Sequence, residues 1–385
     1  MKKALMVSSV ATMIDLFNRE NIKILQNLGY QVSVACNFQS GNPASNERLN
    51  QFKRYLEEQQ VSWYQVDIPR SIFRVKDIIH SYRMLKKYIE KEQFDVIHCH
   101  SPIGGVVARL AARKSRSNGT KVMYTAHGFH FYHHAPLLNW VIFYPIEKIC
   151  SRMTDYLITI NQEDYDLACK RMKAKHIEYV LGVGVNTSKI ASCLVDKVKK
   201  KEMLGINPKK RVVLGISELS ARKNCMVSIQ AFYQAKLADT VLYLCGQGPQ
   251  EEQLRQLVKQ YELEDDVIFG GYRTDIHEVL SIADVFLFPS KQEGLPVALM
   301  EAMAAGLPVV GSKIRGNVDL IEDYKGGFLY EPMDVNGFSA ALQMIFSNSS
   351  LAKSQGEFNR QRIKAYDCKN INVTMERLYK EVTER

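Results

Sequence analysis

Short apolar runs alternate with amphipathic stretches along most of the chain. Residues 121–126, 155–160 and 284–289 are examples of such runs, and polar residues, glycine or proline bound them. Runs of this length, rich in β-branched and aromatic residues, indicate buried strands, whereas apolar residues at intervals of three and four indicate helices. Strands that alternate with helices predict parallel sheets covered on both faces. We therefore expect a doubly wound α/β architecture.

The first strand–helix–strand unit lacks the usual dinucleotide fingerprint. The pattern predicts a strand at 4–10, a helix at 15–28 and a strand at 29–35. The intervening turn, Ser8 to Thr12, contains small residues but no G-x-G-x-x-G sequence. This absence lowers the expectation of a nicotinamide-dependent dehydrogenase, although small residues at Ser9 and Thr12 still admit a substrate close to the backbone.

Length and composition indicate a cytoplasmic protein of two domains. The 385 residues exceed what one hydrophobic core usually holds. Eight scattered cysteines, none in a Cys-x-x-Cys pair, indicate reduced thiols rather than disulfides or zinc. No apolar run is long enough to span a membrane, and the amino-terminal run is too short for a signal peptide.

The net charge of +10 lies entirely in the first half of the chain. Residues 1–190 contain 26 Lys+Arg and 16 Asp+Glu, whereas residues 191–385 contain 25 of each. The predicted helix at 70–92 has seven basic and three acidic residues, and 136–152 is rich in aromatic and aliphatic residues. These features suit an anionic membrane surface, a diphosphate-linked lipid or nucleic acid, but they are equally compatible with solvated charge and packing on a sheet.

Residues 284–311 contain the clearest chemical signal. Pro296 and the later Gly306 bound a predicted helix at 297–305, which is apolar on every side except at Glu301. Glu293 precedes that helix, in the loop after a buried strand where open α/β sheets bind ligands. A helix start attracts phosphate, whereas two carboxylates accept hydrogen bonds from sugar hydroxyls. The predicted ligand therefore combines phosphate and sugar, as a nucleotide-sugar does.

The same stretch carries a family resemblance. Glu293 and Glu301, in the sequence E-G-L-P-V-A-L-M-E-A-M-A-A-G-L-P, form an E-x7-E motif that resembles the retaining GT-B glycosyltransferases of family 4. The likeness runs the length of the chain and is strongest over 212–334. H-C-H-S-P-I-G-G and Y-T-A-H-G-F-H-F are similar to bacterial capsule and exopolysaccharide enzymes. The resemblance implies two Rossmann-like domains facing across a cleft: acceptor domain 1–188, nucleotide-sugar domain 189–370, and a helix at 371–385 returning to the first domain.

The resemblance also implies an activity. We expect retaining transfer of a hexosyl or N-acetylhexosaminyl group from a nucleotide-sugar, a UDP-sugar above all, to a lipid-diphosphate-linked saccharide, without metal or other cofactor. The partners would be the donor, this acceptor and the anionic inner face of the cell membrane, where the protein would associate peripherally, and not nucleic acid. A GT-B nucleotide-sugar epimerase and a non-enzymatic nucleotide-sugar sensor are the alternatives.

Residue roles follow from the matching positions. Lys223 would stabilise the donor diphosphate, and Arg222 is a candidate substitute for the family arginine, whose place Glu218 occupies. Glu293 would bind the sugar hydroxyls and Glu301 the ribose. His127 would line the sugar, although a structural histidine or a metal ligand among His127, His130, His133 and His134 are alternatives. Further donor-side candidates are Gly294, Leu295, Pro296, Val297, Gly246, Gly248, Tyr272 and Arg273, and acceptor-side candidates are Ser9, Thr12, Gly104 and Gly105.

Overall fold

The chain folds into two compact α/β units, as a computed structural model shows for residues 1–42 and 45–384. The first unit contains Met1–Val183 and the chain from Lys369 onward, and the second contains Gly184–Cys368. The sequence-based boundaries at 188 and 370 lie within a few residues of these divisions. Arg385, the last residue of the predicted segment 371–385, lies outside the described residues. The roles assigned to each unit stay predictions.

The first unit is built on a parallel sheet with the strand order β3-β2-β1-β4-β5-β6-β7. Its strands are β1 Lys2–Val10, β2 Tyr30–Asn37, β3 Ser62–Gln65, β4 Val96–His100, β5 Lys121–Ala126, β6 Tyr156–Thr159 and β7 His176–Tyr179. Its helices are α1 Ala11–Phe17, α2 Arg19–Asn27, α3 Asn46–Glu58, α4 Val75–Glu92, α5 Pro102–Ala111, α6 Arg113–Ser117, α7 Leu137–Ser151, α8 Gln162–Arg171 and α18 Cys368–Glu384. The order reverses between β1 and β4, which is the position where such sheets bind ligands.

Side chains on alternate positions of β1 enter two different cores. Ala4 and Met6 pack in one buried cluster, and Leu5 and Val7 pack in another. This follows from the period of two along a strand, which sends successive side chains to opposite faces of the sheet. Helix α18 joins the first cluster through Ile371, Met375, Leu378, Tyr379 and Val382. The helical spacing of these residues attaches the end of the chain to the first unit.

Two predicted helices have different bounds in the structure. The predicted helix at 15–28 is two helices, α1 and α2, which Asn18 separates. The polar side chain of Asn18 donates to the carbonyl of Met13, and this competes with continued helical hydrogen bonding. The predicted helix at 70–92 begins at Val75 instead of Arg70.

A buried ion pair fixes helix α7 to helix α5. Arg109 is fully buried, and its two terminal nitrogens donate to both carboxylate oxygens of Glu147, at 2.5 and 3.0 Å. Its Nε donates to the carbonyl of Gly105 at 2.9 Å. A bidentate pair with a third hydrogen bond satisfies most of the polar groups involved, and this is the arrangement that makes a buried charge tolerable. Helix α7 is therefore held against helix α5.

The second unit is built on a smaller parallel sheet with the strand order β10-β9-β8-β11-β12-β13. Its strands are β8 Arg211–Ile216, β9 Thr240–Cys245, β10 Val267–Gly271, β11 Val285–Phe288, β12 Val309–Ser312 and β13 Gly327–Tyr330. Its helices are α9 Thr187–Ala191, α10 Lys197–Met203, α11 Cys225–Ala235, α12 Glu251–Gln260, α13 Ile276–Ser281, α14 Val297–Ala305, α15 Asn317–Leu320, α16 Val335–Ser347 and α17 Ser349–Arg362, followed by a 3-10 turn at Ile363–Tyr366. Here the order reverses between β8 and β11, so their carboxyl ends form the expected ligand position.

Helix α14 has the predicted bounds. It ends at Gly306, whose φ of 79° is the left-handed conformation that favours glycine. Pro296 is the residue before the helix rather than its first residue, with ψ of 119°. In the part of the chain that the structure describes, no helix has both the length and the apolar character of a membrane span.

Candidate active site

An asparagine joins the two loops at the switch point of the second unit. Asn224 follows the loop after β8 and has a φ of 59°, a left-handed conformation that asparagine tolerates better than most residues. Its side-chain nitrogen donates to the carbonyl of Pro289, which follows β11, at 2.9 Å and to that of Pro332 at 2.7 Å. The sequence interpretation did not identify this residue. Asn224 fixes the neighbouring Lys223 relative to the loop that carries Glu293.

The predicted residues Lys223 and Glu293 form a close ion pair. The Nζ of Lys223 lies 2.6 Å from Oε1 of Glu293, and both side chains are largely buried, with exposures of 14% and 7%. Arg222 approaches the other carboxylate oxygen at 3.6 Å and donates to the carbonyl of Gln292 at 3.0 Å. Arg222 and Lys223 therefore lie together beside Glu293, and both contribute positive charge there.

A second loop shapes the backbone around Glu293. Arg315, which is buried after β12, donates from Nε to the carbonyl of Glu293 at 3.1 Å. Gly316 has a φ of 81°, and a Cβ atom at this position would lie 2.2 Å from the carbonyl oxygen of Gly294. A side chain would therefore displace the loop. Arg315 and Gly316 lie in the stretch 212–334 where the family resemblance is strongest, but the sequence did not indicate that they support Glu293.

The amino end of helix α14 follows the same loop. Pro296 precedes the helix and provides no side-chain cap, so the first backbone N–H groups are not capped by a side chain. Leu295 and Pro296 are buried, whereas Gly294 and Val297 are partly exposed. The N–H groups at this end carry partial positive charge, and they begin four residues after Glu293, the partner of Lys223 and Arg222. The geometry therefore fits a negatively charged ligand group.

The surroundings of Glu301 differ from the prediction. The sequence identified Glu301 as the polar residue of an otherwise apolar helix, which implies a desolvation cost if the helix is buried, but its side chain is 22% exposed. Its Oε1 lies 3.8 Å from Nε2 of His277, which belongs to helix α13. Partial contact with solvent removes the expected desolvation cost, because water can hydrogen-bond to the carboxylate. Helix periodicity did not predict this pairing, since it depends on the position of another helix.

Gly246 and Gly248 leave room for the backbone of the loop after β8. A Cβ atom on Gly246 would lie 1.8 Å from the carbonyl oxygen of Ser217, and one on Gly248 would lie 2.4 Å from that of Leu219. The sequence interpretation predicted that these glycines allow close approach of a ligand. The structure shows that they allow close approach of the backbone of the loop after β8, and their contact with the donor stays a prediction.

Tyr272 and Arg273 have contrasting environments. Tyr272 is 75% exposed after β10. Arg273 donates to both carboxylate oxygens of Asp275, at 2.7 and 2.6 Å, and this raises the pKa of the guanidinium and lowers the pKa of Asp275. Lys200 contacts the same carboxylate at 2.5 Å. The Arg273 side chain is thus held by Asp275, a partner that the motif did not indicate.

Three histidines meet at the carboxyl ends of β4 and β5 in the first unit. Nδ1 of His100 lies 3.2 Å from Nε2 of His127, and the rings of His98 and His100 are 4.2 Å apart. His98 also contacts Tyr379 of α18 at 2.7 Å and Thr125 at 2.8 Å. Burial lowers the pKa of His98 to about 3 and that of His127 to about 4. His127 is therefore neutral at pH 7, as a hydrogen-bonding group rather than a cation.

Ser9 and Gly104 come together at the switch point of the first sheet. The hydroxyl of Ser9 accepts from the N–H of Gly104 at 3.0 Å and lies 2.9 Å from the hydroxyl of Ser101. A Cβ atom on Gly104 would contact Ser101 and Ser9, and one on Gly105 would lie 2.5 Å from the ring of Tyr124. The two glycines therefore permit close packing of helix α5. Thr12 is buried in α1, and its N–H donates to Asn42 at 3.2 Å.

The predicted histidine cluster has no metal-binding geometry within residues 1–42 and 45–384. No group of three or more His, Cys, Asp or Glu side chains in this range is placed to hold a metal ion. His133 and His134 are exposed and contact each other at 3.0 Å. His130 packs against Phe143, with ring centres 4.6 Å apart.

Comparisons with known families agree with the two-unit architecture. The model of the family described as Glycosyltransferase Family 4 matches residues 19–189, and the model of Glycosyl transferases group 1 matches residues 196–362. EpsD of Bacillus subtilis (strain 168), which is named as a glycosyltransferase, is 33% identical over 365 residues and covers 94% of this chain and 91% of its own. The chain belongs to the GT-B glycosyltransferases of family 4, and it is a glycosyltransferase.

The chain is also similar in sequence to an enzyme of Escherichia coli and in fold to a protein of Anabaena. The UDP-Gal:alpha-D-GlcNAc-diphosphoundecaprenol alpha-1,3-galactosyltransferase of Escherichia coli is 27% identical over 341 residues, with coverage of 86% of this chain and 84% of the enzyme. The crystal structure of Anabaena HepE in complex with UDP and glucose superposes with a TM-score of 0.79 at 20% identity, over 99% of this chain and all of HepE. This superposition confirms the predicted GT-B fold.

The buried histidines predict a measurable loss of stability in acid. His98 stays neutral in the folded state because its pKa is about 3, whereas an unfolded histidine binds a proton near pH 6.5. Folding therefore becomes less favourable as the pH falls through 6.5. Between pH 7.5 and 5.5 one such group costs about 1.4 kcal/mol. Between pH 7.5 and 5.5 the free energy of unfolding of His98→Gln should therefore fall by about 1.4 kcal/mol less than that of the parent. Guanidinium denaturation of the first unit at the two pH values measures this difference.

The exposed His134→Gln is the matched control for this experiment. It should keep the pH dependence of the parent protein. A His98→Gln variant whose stability falls as steeply as that of the parent would contradict the buried, neutral state of His98.

Proposed function

We propose that this glycosyltransferase moves a sugar, with retention of its anomeric configuration, from a UDP-sugar to a lipid-diphosphate-linked saccharide in bacterial exopolysaccharide or capsule synthesis. The observation that carries the proposal is the 2.6 Å pair of Lys223 and Glu293 at the β8/β11 switch point. A cation suits the diphosphate of the donor and a carboxylate suits the hydroxyls of its sugar. The two groups together match the two halves of a nucleotide-sugar.

The leaving diphosphate would be stabilised by three sources of positive charge. Lys223 and Arg222 lie beside Glu293, and the amino end of α14 follows directly. Negative charge grows on the diphosphate as the sugar departs, so cations fixed in place before the reaction stabilise the transition state more than the ground state. These residues supply charge of the kind that a divalent cation supplies in other transferases. We therefore propose that no metal is required.

The carboxylates would bind the hydroxyl groups of the donor. Glu293 would accept from the transferred sugar, and Glu301, at the partly exposed side of α14, would accept from the ribose. Carboxylates are acceptors only, so each can bind the two hydroxyls of a diol. The UDP and glucose bound to Anabaena HepE support this choice of ligand, because that protein has a similar fold. Tyr272 and the backbone of β10 are proposed to lie near the base.

Retention is proposed to occur without a covalent enzyme intermediate. One oxygen of Glu293 contacts Lys223 and the other faces Arg222, so cations neutralise the charge on both. A carboxylate neutralised in this way is a weak nucleophile, unlike the free carboxylate of a retaining glycosidase. The departing phosphate oxygen would instead take the proton of the acceptor on the same face. His127, neutral at pH 7, would donate or accept one hydrogen bond at the sugar.

The name of the E. coli relative supports a lipid-linked acceptor. That enzyme is named for a UDP-galactose donor and a diphosphoundecaprenol-linked acceptor. The first unit of this chain has surfaces that suit such an acceptor. On one face of α4, Val75, Ile79 and Arg83 are exposed and Lys86 is partly exposed, at intervals of four, four and three residues. Apolar residues and cations on one face suit peripheral contact with the anionic inner surface of the cell membrane.

Lys223 and Glu293 are expected to affect catalysis more than binding of the nucleotide. Lys223→Ala should reduce kcat by about 10²–10³, which is the scale for losing one preorganised charge stabiliser. Glu293→Gln keeps the size of the side chain but removes its charge, so transfer should fall strongly while UDP binding stays nearly intact. Initial rates with a radiolabelled UDP-sugar and UDP affinity from calorimetry measure the two effects. These assays use membranes as the source of the acceptor.

Lys209→Ala is the matched control, because Lys209 is exposed before β8, at the opposite end of that strand. It should leave both measurements unchanged. Near-normal turnover in Lys223→Ala and Glu293→Gln would mean that the chemistry has been assigned to the wrong residues.

Glu301 is expected to contribute to binding of the nucleotide itself. If it accepts hydrogen bonds from the ribose, Glu301→Ala should weaken the binding of UDP by about 1.5–3 kcal/mol, the usual cost of losing a hydrogen bond to a charged group. Calorimetric titration with UDP measures this change. Glu252→Ala, at an exposed position of α12, provides the control. Unchanged UDP affinity in a folded Glu301→Ala variant would refute the ribose assignment.

The basic face of α4 is expected to bind anionic membranes. Arg83, Lys86 and Lys87 form no ion pair within the described part of the chain, so their charges are available to lipid. Reversal of all three to glutamate should reduce the affinity for anionic vesicles by at least about a hundredfold, since each basic residue contributes about 1 kcal/mol. Sedimentation with the vesicles measures this affinity. Binding of the parent protein should weaken as salt rises.

The control reverses three exposed lysines of the second unit, Lys209, Lys259 and Lys353, and should sediment like the parent. Equal binding of the parent to neutral and anionic vesicles, or no binding to either, would contradict the electrostatic interaction.

A further inference from the structure

An apolar cavity of about 380 Å³ lies in the first unit between α5, α7 and the segment after β5. This volume is within the range of small-molecule sites. Glu147 is the charged residue among those that line it, and both of its carboxylate oxygens accept from Arg109. The cavity therefore presents no unpaired charge to a ligand. Its aliphatic and aromatic lining includes Ile103, Val106, Leu110, Phe143, Ile146 and Ile149.

A second cavity, of about 590 Å³, adjoins the first and is more polar. Five residues line both: Ile72, Pro102, Ile103, His130 and Phe143. The second cavity reaches Ser9 and Ser101 at the carboxyl ends of β1 and β4, where the strand order reverses. Arg70 lines it and donates to the carbonyl of Gly41 at 3.2 Å, and this guanidinium forms no ion pair among the described residues. One end of the combined space is therefore apolar, and the other has hydroxyls and a cation.

The mouth of the apolar cavity is also apolar. Leu110, Ile146 and Ile149 line the cavity and are nevertheless exposed, at 39%, 38% and 58%. Leu138, which lines the polar cavity, is 65% exposed. Exposed apolar side chains that are contiguous with a cavity mark binding surfaces, because single soluble domains rarely expose large apolar patches. A hydrocarbon chain can thus leave the cavity without crossing a polar boundary.

We propose that the apolar cavity binds the first hydrocarbon units of an isoprenoid lipid, and that the adjoining cavity binds the phosphates of the same lipid beside Arg70. The gradient from cation and hydroxyls to an apolar pocket matches an amphiphile with a phosphate head and a linear chain. This inference deepens the proposed function and rests on it, because it assigns the lipid part of the acceptor to named residues. The saccharide would then extend from the phosphates at the β1/β4 switch point.

Three soluble probes separate the two ends of the site. With UDP held at saturation, so that the donor site beside Lys223 is occupied, inorganic diphosphate tests the polar end, and geranyl and farnesyl diphosphate add chains that differ by five carbons. Burial of one CH₂ group improves affinity about fourfold. We expect farnesyl diphosphate to bind at least tenfold more tightly than geranyl diphosphate, and inorganic diphosphate to bind most weakly. Titration calorimetry on the full chain, below the micelle concentration of each probe, measures the three affinities.

Two variants test the assignment of each end. Val106→Phe places a larger side chain in the apolar cavity, so it should remove the dependence on chain length and leave the affinity for inorganic diphosphate unchanged. Arg70→Gln should reduce the affinity for each of the three probes by a similar factor, about tenfold. Leu16→Phe, at an exposed position of α1 that lines neither cavity, is the control and should bind like the parent.

Ile149→Gln provides a second test of the apolar end. Its side chain is mostly exposed, so folding should tolerate the change, and the affinity for farnesyl diphosphate should fall severalfold with little change for inorganic diphosphate. Thermal melting verifies that each variant is folded. Equal affinities of the parent for geranyl and farnesyl diphosphate would overturn the proposal. A folded Val106→Phe variant whose affinity still depends on chain length would also overturn the proposal.

Failure of this inference can be distinguished from failure of the proposed function. If the parent protein binds UDP and transfers sugar but binds geranyl and farnesyl diphosphate equally well, only the lipid site is refuted. If the parent protein binds farnesyl diphosphate more tightly than geranyl diphosphate but neither binds UDP nor transfers sugar, the proposed reaction is refuted and the lipid site is supported. UDP affinity should be the same in Val106→Phe as in the parent, because the substituted side chain belongs to the first unit.

Discussion

The ion pair between Lys223 and Glu293 depends on the topology of the second sheet. The two residues are 70 positions apart in the chain, yet their loops are adjacent because β8 and β11 are neighbouring strands at the point where the order reverses. A largely buried pair adds little net stability, since desolvation offsets most of the attraction. Its persistence needs support from outside, and Asn224, Arg315 and Gly316 provide it by fixing both loops. The arrangement is better explained by ligand binding than by stability.

Local sequence was enough to predict the elements around this pair, but not the contacts between them. Helix α14 has its predicted bounds because Pro296 and Gly306 act within a few residues of its ends. The sequence did not predict the environment of Glu301, because its exposure and its neighbour His277 depend on the packing of α13. Gly246 was interpreted as a position of close approach, and the structure shows that the backbone of Ser217 is one group that approaches it. A motif shows that a glycine is needed, whereas only the fold shows what it accommodates.

The first unit shows the same limit. Short apolar runs predicted its strands, and β5 has the predicted bounds. The contact of His98 with Tyr379 joins residues 281 positions apart, and no local pattern could have predicted it. For the helix at 70–92 the sequence left packing on a sheet and contact with a membrane as alternatives, and in the structure Val75 and Ile79 of this helix are exposed. Periodicity identifies an apolar face, but it cannot tell whether a sheet, a lipid or another surface covers that face. Exposed apolar groups on α4 and α7, beside cations and two cavities, favour lipid.

The most direct test of the central claim is a crystal structure of the protein with an intact UDP-sugar. We expect Nζ of Lys223 to lie within hydrogen-bonding distance, about 2.7–3.2 Å, of a diphosphate oxygen. We also expect the carboxylate of Glu293 to accept from hydroxyls of the sugar. A donor bound at the β8/β11 switch point with both contacts would establish the two roles. A donor bound elsewhere, or one that leaves Lys223 and Glu293 paired without contacting either, would contradict the account.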